Sequence, residues 1–382
     1  MLHAGGGPRW ATYAGAVTIQ LGLPRRRGGA GPVQLPEDRP AVTGLVDPRG
    51  RLATDLRVSL TDRCNLRCTY CMPPEGLDWL PSSRLLSDEE IVRLVTIAVE
   101  RLGVTEVRFT GGEPLLRRGL EGIVAATAAL RTAAGSAPEQ SLTTNALGLA
   151  RRAQGLADAG LARVNVSLDT LRPERFAAIT HRDRLADVLA GLRAATDAGL
   201  GPVKINAVLL RGVNDDEAPD LLRWALREGY QLRFIEQMPL EPHGSWDRSS
   251  MIDAQEILAS LLPHVDLVDA APGSRGASPA EVWNASWDDA GTVRTGVVGI
   301  VASVTRPFCA ACDRTRLTAD GQVRDCLFAT REHDLRALLR DGATDDQLAD
   351  AWRSAMWGKL PGHGIDDPSF TRPQRPMSAI GG

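Results

Sequence analysis

Leu56-Arg57-Val58-Ser59-Leu60-Thr61-Asp62-Arg63-Cys64-Asn65-Leu66-Arg67-Cys68-Thr69-Tyr70-Cys71-Met72-Pro73 is the stretch from which the rest of the chain is read. Its first five residues suit a strand, and the remainder a loop that carries Cys64, Cys68 and Cys71 in a Cys-x3-Cys-x2-Cys spacing. Thiolates three and four residues apart can converge on one soft metal centre. A cubane iron-sulfur cluster held by three of them keeps one iron open, and open coordination is how a metal site does chemistry. The spacing also admits a zinc site with a ligand from elsewhere, or unrelated buried thiols, although zinc usually pairs Cys-x2-Cys units.

Working outward, the same strand-then-helix rhythm recurs. Strand candidates fall at residues 56–60, 104–110, 140–144, 162–168, 203–210 and 231–236, separated by helix-like segments. Ser87 and Glu90 have the spacing of a capping box, and Gly160 and Gly199 stand where later helices should stop. Six βα units argue for a parallel sheet with right-handed crossovers, and periodicity admits either a doubly wound sheet or part of a barrel. The cysteine loop follows the first strand, where barrel-like folds put their sites. After about residue 265 the pattern changes to short strand-like pieces at 265–268, 281–283 and 293–301, then helices around 332–340 and 345–357. This places a second domain at 265–382, after a βα domain at 41–264.

Of 382 residues, 43% are hydrophobic and 24% charged, the composition of a globular chain with a substantial core. A formal net charge of −3 gives no overall footprint for nucleic acid, so an anionic ligand must be met by a local basic cluster. Lys204 and Lys359 are the only lysines, which leaves that task mainly to arginine. Residues 1–40, rich in Gly, Pro and Arg, read as a disordered extension. Their apolar run at 14–23 is too short to span a membrane, and the basic stretch at 25–27 follows it instead of preceding it as in a secretory signal. Neither a nucleic-acid nor a membrane partner is expected.

The six cysteines fall into two separate groups of three, which cannot each close by internal disulfides. A reducing, cytoplasmic compartment follows. Cys309, Cys312 and Cys326 again supply three thiolates with no nearby histidine, implying a second cluster with an open iron, a zinc knob or an electron relay being the other readings. Between them lies Arg314-Thr315-Arg316-Leu317-Thr318, and an arginine fork suits bidentate phosphate binding better than lysine does. One such pair at about 4 Å contributes roughly 4 kcal/mol before desolvation. A further motif, Arg108-Phe109-Thr110-Gly111-Gly112-Glu113-Pro114, ends the second strand. Its paired glycines let backbone approach a ligand closely, and Glu113 can accept from an ammonium group.

The first cysteine stretch resembles the radical S-adenosylmethionine (SAM) signature, and more closely the GTP 3′,8-cyclase family of molybdenum cofactor biosynthesis; the segment around Cys309, Cys312 and Cys326 resembles that family's auxiliary-cluster motif. The resemblance covers residues 41 to 382 and implies a partial (β/α)6 TIM-like barrel of the radical SAM type. A C-terminal α+β domain would carry a second Fe-S cluster across the open side. It implies two 4Fe-4S clusters and SAM as cofactors, the Cys64, Cys68 and Cys71 cluster cleaving SAM to a 5′-deoxyadenosyl radical. That radical would take hydrogen from C3′ of GTP, and the resulting carbon radical would attack C8 of guanine.

Carried over residue by residue, the resemblance assigns Arg57, Arg108, Thr143, Lys204, Arg314, Thr315 and Arg316 to GTP. It assigns Tyr70, Gly112, Ser167 and Met238 to SAM. The terminal Gly381 and Gly382 match a double-glycine tail that reaches into the active site and assists catalysis. The family further implies a homodimer, a reductant such as flavodoxin or ferredoxin, and a downstream cyclic pyranopterin monophosphate synthase. A radical SAM enzyme acting on a peptide, and a non-catalytic iron-sulfur or zinc regulatory protein, are the rival readings.

Overall fold

A computed structural model describes residues 35–381 except 242, 243, 245 and 272–274. Residues 1–34 of the expected extension and Gly382 of the tail lie outside the described residues.

Strands β1 (Asp55–Ser59), β2 (Glu106–Thr110), β3 (Glu139–Thr144), β4 (Arg163–Ser167), β5 (Lys204–Val208) and β6 (Gln231–Ile235) pair in parallel, in chain order. The crossovers carry α1 (Asp88–Leu102), α2 (Leu120–Ala128), α3 (Ala153–Asp158), α4 (Pro173–Thr180), α5 (Leu185–Asp197) and α6 (Ala218–Glu228). A doubly wound sheet reverses its strand order at a switch point. Here the order runs straight through, so the right-handed crossovers put the helices on one face and the chain winds as a partial (β/α)6 barrel.

The remaining elements extend this sheet at both edges. Beyond β6, α7 (Ala254–Leu261) leads to β7 (Asp266–Asp269), β8 (Glu281–Asp289) and β9 (Thr292–Val301), and β9 lies parallel beside β6. The chain then crosses back, and β10 (Arg314–Leu317) pairs in parallel with β1, followed antiparallel by β11 (Gln322–Arg324) and β12 (His333–Asp334). All twelve strands form one sheet, and α8 (Leu335–Arg340), α9 (Asp345–Trp357) and α10 (Met377–Ile380) finish the chain. The three strands β10 to β12 were not foreseen from periodicity. Two of the four residues of β10 are arginines, so its pattern has no apolar run to recognise.

Strand alternation decides what each face is for. Leu56 and Val58, Val107 and Phe109, Val164 and Val166, and Leu232 and Phe234 are fully buried on the helix-covered face. The alternate positions on the other face carry Arg57, Arg108, Asn165 and Arg233. Parallel strands buried on both faces ordinarily read as continuous apolar runs. These alternate instead, because the concave face lines a site and not a core.

Local signals fix the helices that hold the sheet. The Ser87 hydroxyl accepts from Glu90 N at 3.1 Å while the Glu90 carboxylate accepts from Ser87 N at 2.8 Å, so the capping box starts α1. Thr344 and Gln347 repeat the device at α9. Trp352 of α9 is completely buried, and its indole donates to the Thr315 hydroxyl at 2.9 Å, which ties α9 to β10. Replacing Trp352 with Ala is expected to cost about 3–5 kcal/mol of stability. Trp352→Phe keeps most of the ring but leaves Thr315 unpartnered, at about 1 kcal/mol. Urea denaturation of both variants checks the split; an unchanged midpoint for Trp352→Ala would refute the packing role.

Candidate active site

The loop after β1 is fixed mostly by backbone bonds. Arg67 N donates to Thr180 O at 3.0 Å and Thr69 N to Ile179 O at 2.9 Å, docking the loop on the end of α4. The Arg67 guanidinium donates to Cys64 O at 2.7 Å and lies over the Trp79 ring. On the other side, Gly112 N reaches Thr61 O and Glu113 N reaches Arg63 O, each at 2.7 Å. The glycine pair is needed for this contact: a Cβ on Gly112 would lie 2.3 Å from Arg63 O, and one on Gly111 2.4 Å from Thr61 O. The close approach is thus to the cysteine loop's own backbone.

Glu113, read from the sequence as able to accept from an ammonium group, is not among the residues that line the cavity described below. Its carboxylate is completely buried and accepts from Leu115 N at 2.9 Å, the Thr144 hydroxyl at 2.7 Å and Asn145 N at 2.7 Å. Burial pushes it up to about 7. It braces the ends of β2 and β3 behind the site.

Cys64, Cys68 and Cys71 line one wall of a cavity of about 310 Å³. Cys309, Cys312 and Cys326 line the same cavity. Burial pushes Cys64 up to about 11 and Cys71 up to about 12, and raises Cys68 well above the usual thiol. These half-buried thiols gain from a metal that takes them as thiolates. Among the described residues no three His, Cys, Asp or Glu side chains are arranged to hold a single metal ion. A cubane puts each thiolate on a different iron, so a set of three leaves one iron open. Asn145 Nδ2 stands 3.7 Å from Cys64 Sγ, a donor of the kind that tunes cluster sulfur.

Below the triads the concave face is crowded with cations. At one register level Arg316, Arg57 and Arg108 stand side by side on β10, β1 and β2, and Arg314 is paired with Asp55 one step down. The Asp55 carboxylate lies 3.2 Å from Arg57 Nη2, 3.5 Å from Arg314 Nε and 4.0 Å from Arg108 Nη2. Burial raises an isolated carboxyl, but these three guanidiniums outweigh it and hold Asp55 well below the usual range. The cations pay in the opposite direction: burial and neighbouring arginines push Arg316 down to about 9 and Arg233 down to about 10, and lower Arg108 strongly. Arginine keeps its proton in proteins, so these shifts report positive charge left uncompensated. The Nε donors of Arg57, Arg108 and Arg314 are buried without a hydrogen-bond acceptor. An anion with several oxygens satisfies both demands at once.

The structure brings most of the sequence-selected residues to this cavity: Arg57, Arg108, Thr143, Arg314 and Arg316 line it together with Tyr70, Gly112, Ser167 and Met238. The Tyr70 hydroxyl donates to Asp169 Oδ2 at 2.8 Å, and Asp169 also accepts from Val208 N at 2.9 Å. Thr315 is turned away. Strand alternation puts its side chain on the far face of β10, against Trp352. Lys204 opens β5 on the concave face, two residues before the cavity-lining Asn206. Met377 and Ser378 line the cavity, and Gly381 beyond them packs against Ser59 and Thr110, its carbonyl accepting from Arg316. Arg233, Asn206 and Asp169 line the cavity without having been singled out. Alternation in β6 and β5 was the available signal for the first two.

The Radical SAM superfamily model matches residues 58–225, and the Molybdenum Cofactor Synthesis C model matches residues 230–365. Of solved structures, that of SuiB from Streptococcus suis superposes with a TM-score of 0.53 at 13% identity, covering 83% of this chain and 69% of that one, a likeness of fold. Class and fold are therefore those of a radical SAM protein, which uses SAM and an Fe-S cluster. A Streptomyces coelicolor protein described as GTP 3′,8-cyclase is 62% identical over 338 residues, 88% of this chain and 96% of its own length. Another from Mycolicibacterium smegmatis is 60% identical over 356 residues, 93% and 95% of the two chains. The chain belongs to the GTP 3′,8-cyclase family. No helix among the described residues is long and apolar enough to cross a membrane.

Lys204 gives the cation cluster a pH signature. Burial, then Arg233, Arg163 and Arg108, push it down to about 8. A bound polyanion favours its charged form, so binding takes up a proton near that pH and affinity falls as pH rises from 7 to 9. Isothermal titration with inorganic tripolyphosphate checks this. Lys204→Arg, which keeps its charge throughout, is expected to flatten the fall; an equally steep fall in that variant would rule Lys204 out as its source.

Proposed function

We propose that the protein is a GTP 3′,8-cyclase, converting GTP to (8S)-3′,8-cyclo-7,8-dihydroguanosine 5′-triphosphate in the first step of molybdenum cofactor biosynthesis. The observation that carries this reading is the single cavity walled by both cysteine triads, with the under-compensated Arg57, Arg108, Arg314 and Arg316 cluster in its lining. When bound, a 4Fe-4S cluster on Cys64, Cys68 and Cys71 supplies one-electron cleavage of SAM, the source of the 5′-deoxyadenosyl radical.

The chain's own residues supply position. Arg57, Arg108, Arg314 and Arg316, with Lys204 beneath and Thr143 beside them, would grip the triphosphate of GTP. GTP carries about four negative charges, which the fork geometry of guanidinium matches. Tyr70, Gly112, Ser167 and Met238 would border SAM, with Asp169 and Val208 holding the Tyr70 ring in place. Cys309, Cys312 and Cys326 would hold the second 4Fe-4S cluster, whose unligated iron would be available to the guanine base. Phe308 stacks beneath the Arg314 guanidinium at 4.7 Å and aims it into the cavity. The tail at Gly381 and Gly382 would close the substrate side, and a closed, dry cavity strengthens every ionic contact within it.

On this reading residues 41–264 form the radical-generating unit and 265–382 the auxiliary-cluster unit, with residues 1–40 an extension of no assigned role. The enzyme would work in the cytoplasm as a homodimer, with an electron donor such as flavodoxin or ferredoxin. It would pass its product to a cyclic pyranopterin monophosphate synthase.

Reduced, reconstituted protein incubated anaerobically with SAM and GTP is expected to yield 5′-deoxyadenosine and the cyclised nucleotide by mass spectrometry. Absence of any GTP-dependent product would defeat the assignment. Cys326→Ala is expected to retain SAM cleavage and lose conversion of GTP altogether. Retained conversion would show that the second triad is dispensable.

A further inference from the structure

Lys359 is one of only two lysines in the chain, and it is 5% exposed. It lies just past the end of α9, and its ammonium points at the second cysteine triad. Nζ is 2.9 Å from Arg314 O, 3.4 Å from Cys312 O and 3.6 Å from Cys312 Sγ. An ammonium has three N–H donors, and these are three acceptors. Among the described residues no carboxylate lies within ion-pair distance of it, although the charge of Asp325 is felt nearby. A buried lysine without a carboxylate is costly unless something else carries the compensating negative charge. A Cys312 sulfur held as thiolate by a bound cluster, 3.6 Å away, would do so.

The segment that follows wraps the same triad. Arg51, anchored on Asp47, donates to Leu360 O at 2.8 Å and Pro361 O at 3.0 Å, and also to Cys309 O. Gly362 lies beside Cys309, where a Cβ would make ordinary contact with its Sγ at 3.7 Å. The surroundings of the two triads therefore differ in sign. Glu113 and Asp169 lie near the first, with Arg67; Lys359, Arg314, Arg316 and Arg51 lie near the second, with Asp325.

We propose that Lys359 is a positioning residue of the second triad, a buried cation that holds the Cys312 turn against the end of α9 and raises the electron affinity of the cluster bound there. A fixed positive charge beside a cluster favours its more reduced, more negative state. The second cluster is then the easier of the two to reduce. The inference rests on the two-cluster reading above.

The test is a redox titration followed by electron paramagnetic resonance on the anaerobically reconstituted full chain. Iron and sulfide are measured alongside. Replacing Cys64, Cys68 and Cys71 together with Ala isolates the second cluster's signal. In that background Lys359→Met is expected to move its midpoint potential negative, and Lys359→Arg to leave it near the starting value. In the otherwise unaltered chain the first cluster's potential stays put. An unmoved potential in Lys359→Met with full iron overturns the proposal and leaves the two-cluster reading standing. If Lys359→Met loses the second cluster's iron while Lys359→Arg keeps it, the charge is what holds the site and the proposal stands; if both lose it, the charge is not the operative property and the proposal falls. About four irons per unaltered chain instead of about eight would overturn the two-cluster reading, and this inference with it.

Discussion

One carboxylate decides whether the two halves of the site can be joined. Pairing β10 with β1 brings Arg314 and Arg316 beside Arg57, with Arg108 on the next strand. Four guanidiniums gathered on one buried face repel one another, and hydrogen bonds between short strands are a weak counterweight. Asp55, within 4.0 Å of three of them, lets the strands close. Since Cys312 lies two residues before β10 and Cys64 five residues after β1, that junction also sets where the two triads stand relative to each other.

The charge is balanced only in part, and this incompleteness has a function. A fully neutralised cluster would be a structural ion-pair network with nothing left to offer. Here the buried Nε donors of Arg57, Arg108 and Arg314 lack acceptors, and the surplus of positive charge remains with the protein. A polyanionic ligand would contribute the missing acceptors, so on the proposed reading the buried donors are satisfied in the act of binding. The cost is borne by a sheet whose other face is largely apolar, and by α9 locking β10 through Trp352 and Thr315.

Much of the barrel was legible because strand composition and helix punctuation agree: the six parallel strands sit where the apolar alternation put them, within a few residues at their ends. The return of the chain to β1 was not. Nothing in Arg314-Thr315-Arg316-Leu317 resembles a strand by periodicity, since the arginines fill the face that elsewhere in proteins would be apolar. Motif reading also did not show which residues of a motif line the cavity. Thr315 sits between two cavity residues and faces the opposite way, as alternation requires. Glu113 follows a glycine pair in the wall of the site, yet every hydrogen bond it makes is to its own chain. Arg233 carries no motif at all, and only its place on β6 puts it in the cavity.

The two triads end up alike in ligand number and unlike in surroundings, and the fold explains why. The first is held by a loop at the ends of β1, β2 and β4, where Glu113 and Asp169 brace the backbone with carboxylates. The second takes Cys309 and Cys312 from the turn entering β10, the arginine-bearing strand, and Cys326 from just after β11, and is covered by Lys359 just past α9. Electrostatic asymmetry is thus a consequence of topology, because the strand that follows Cys309 and Cys312 is the same strand that carries Arg314 and Arg316. A chain that separated these tasks would need two crossings of the barrel's open side; this one needs a single strand of four residues.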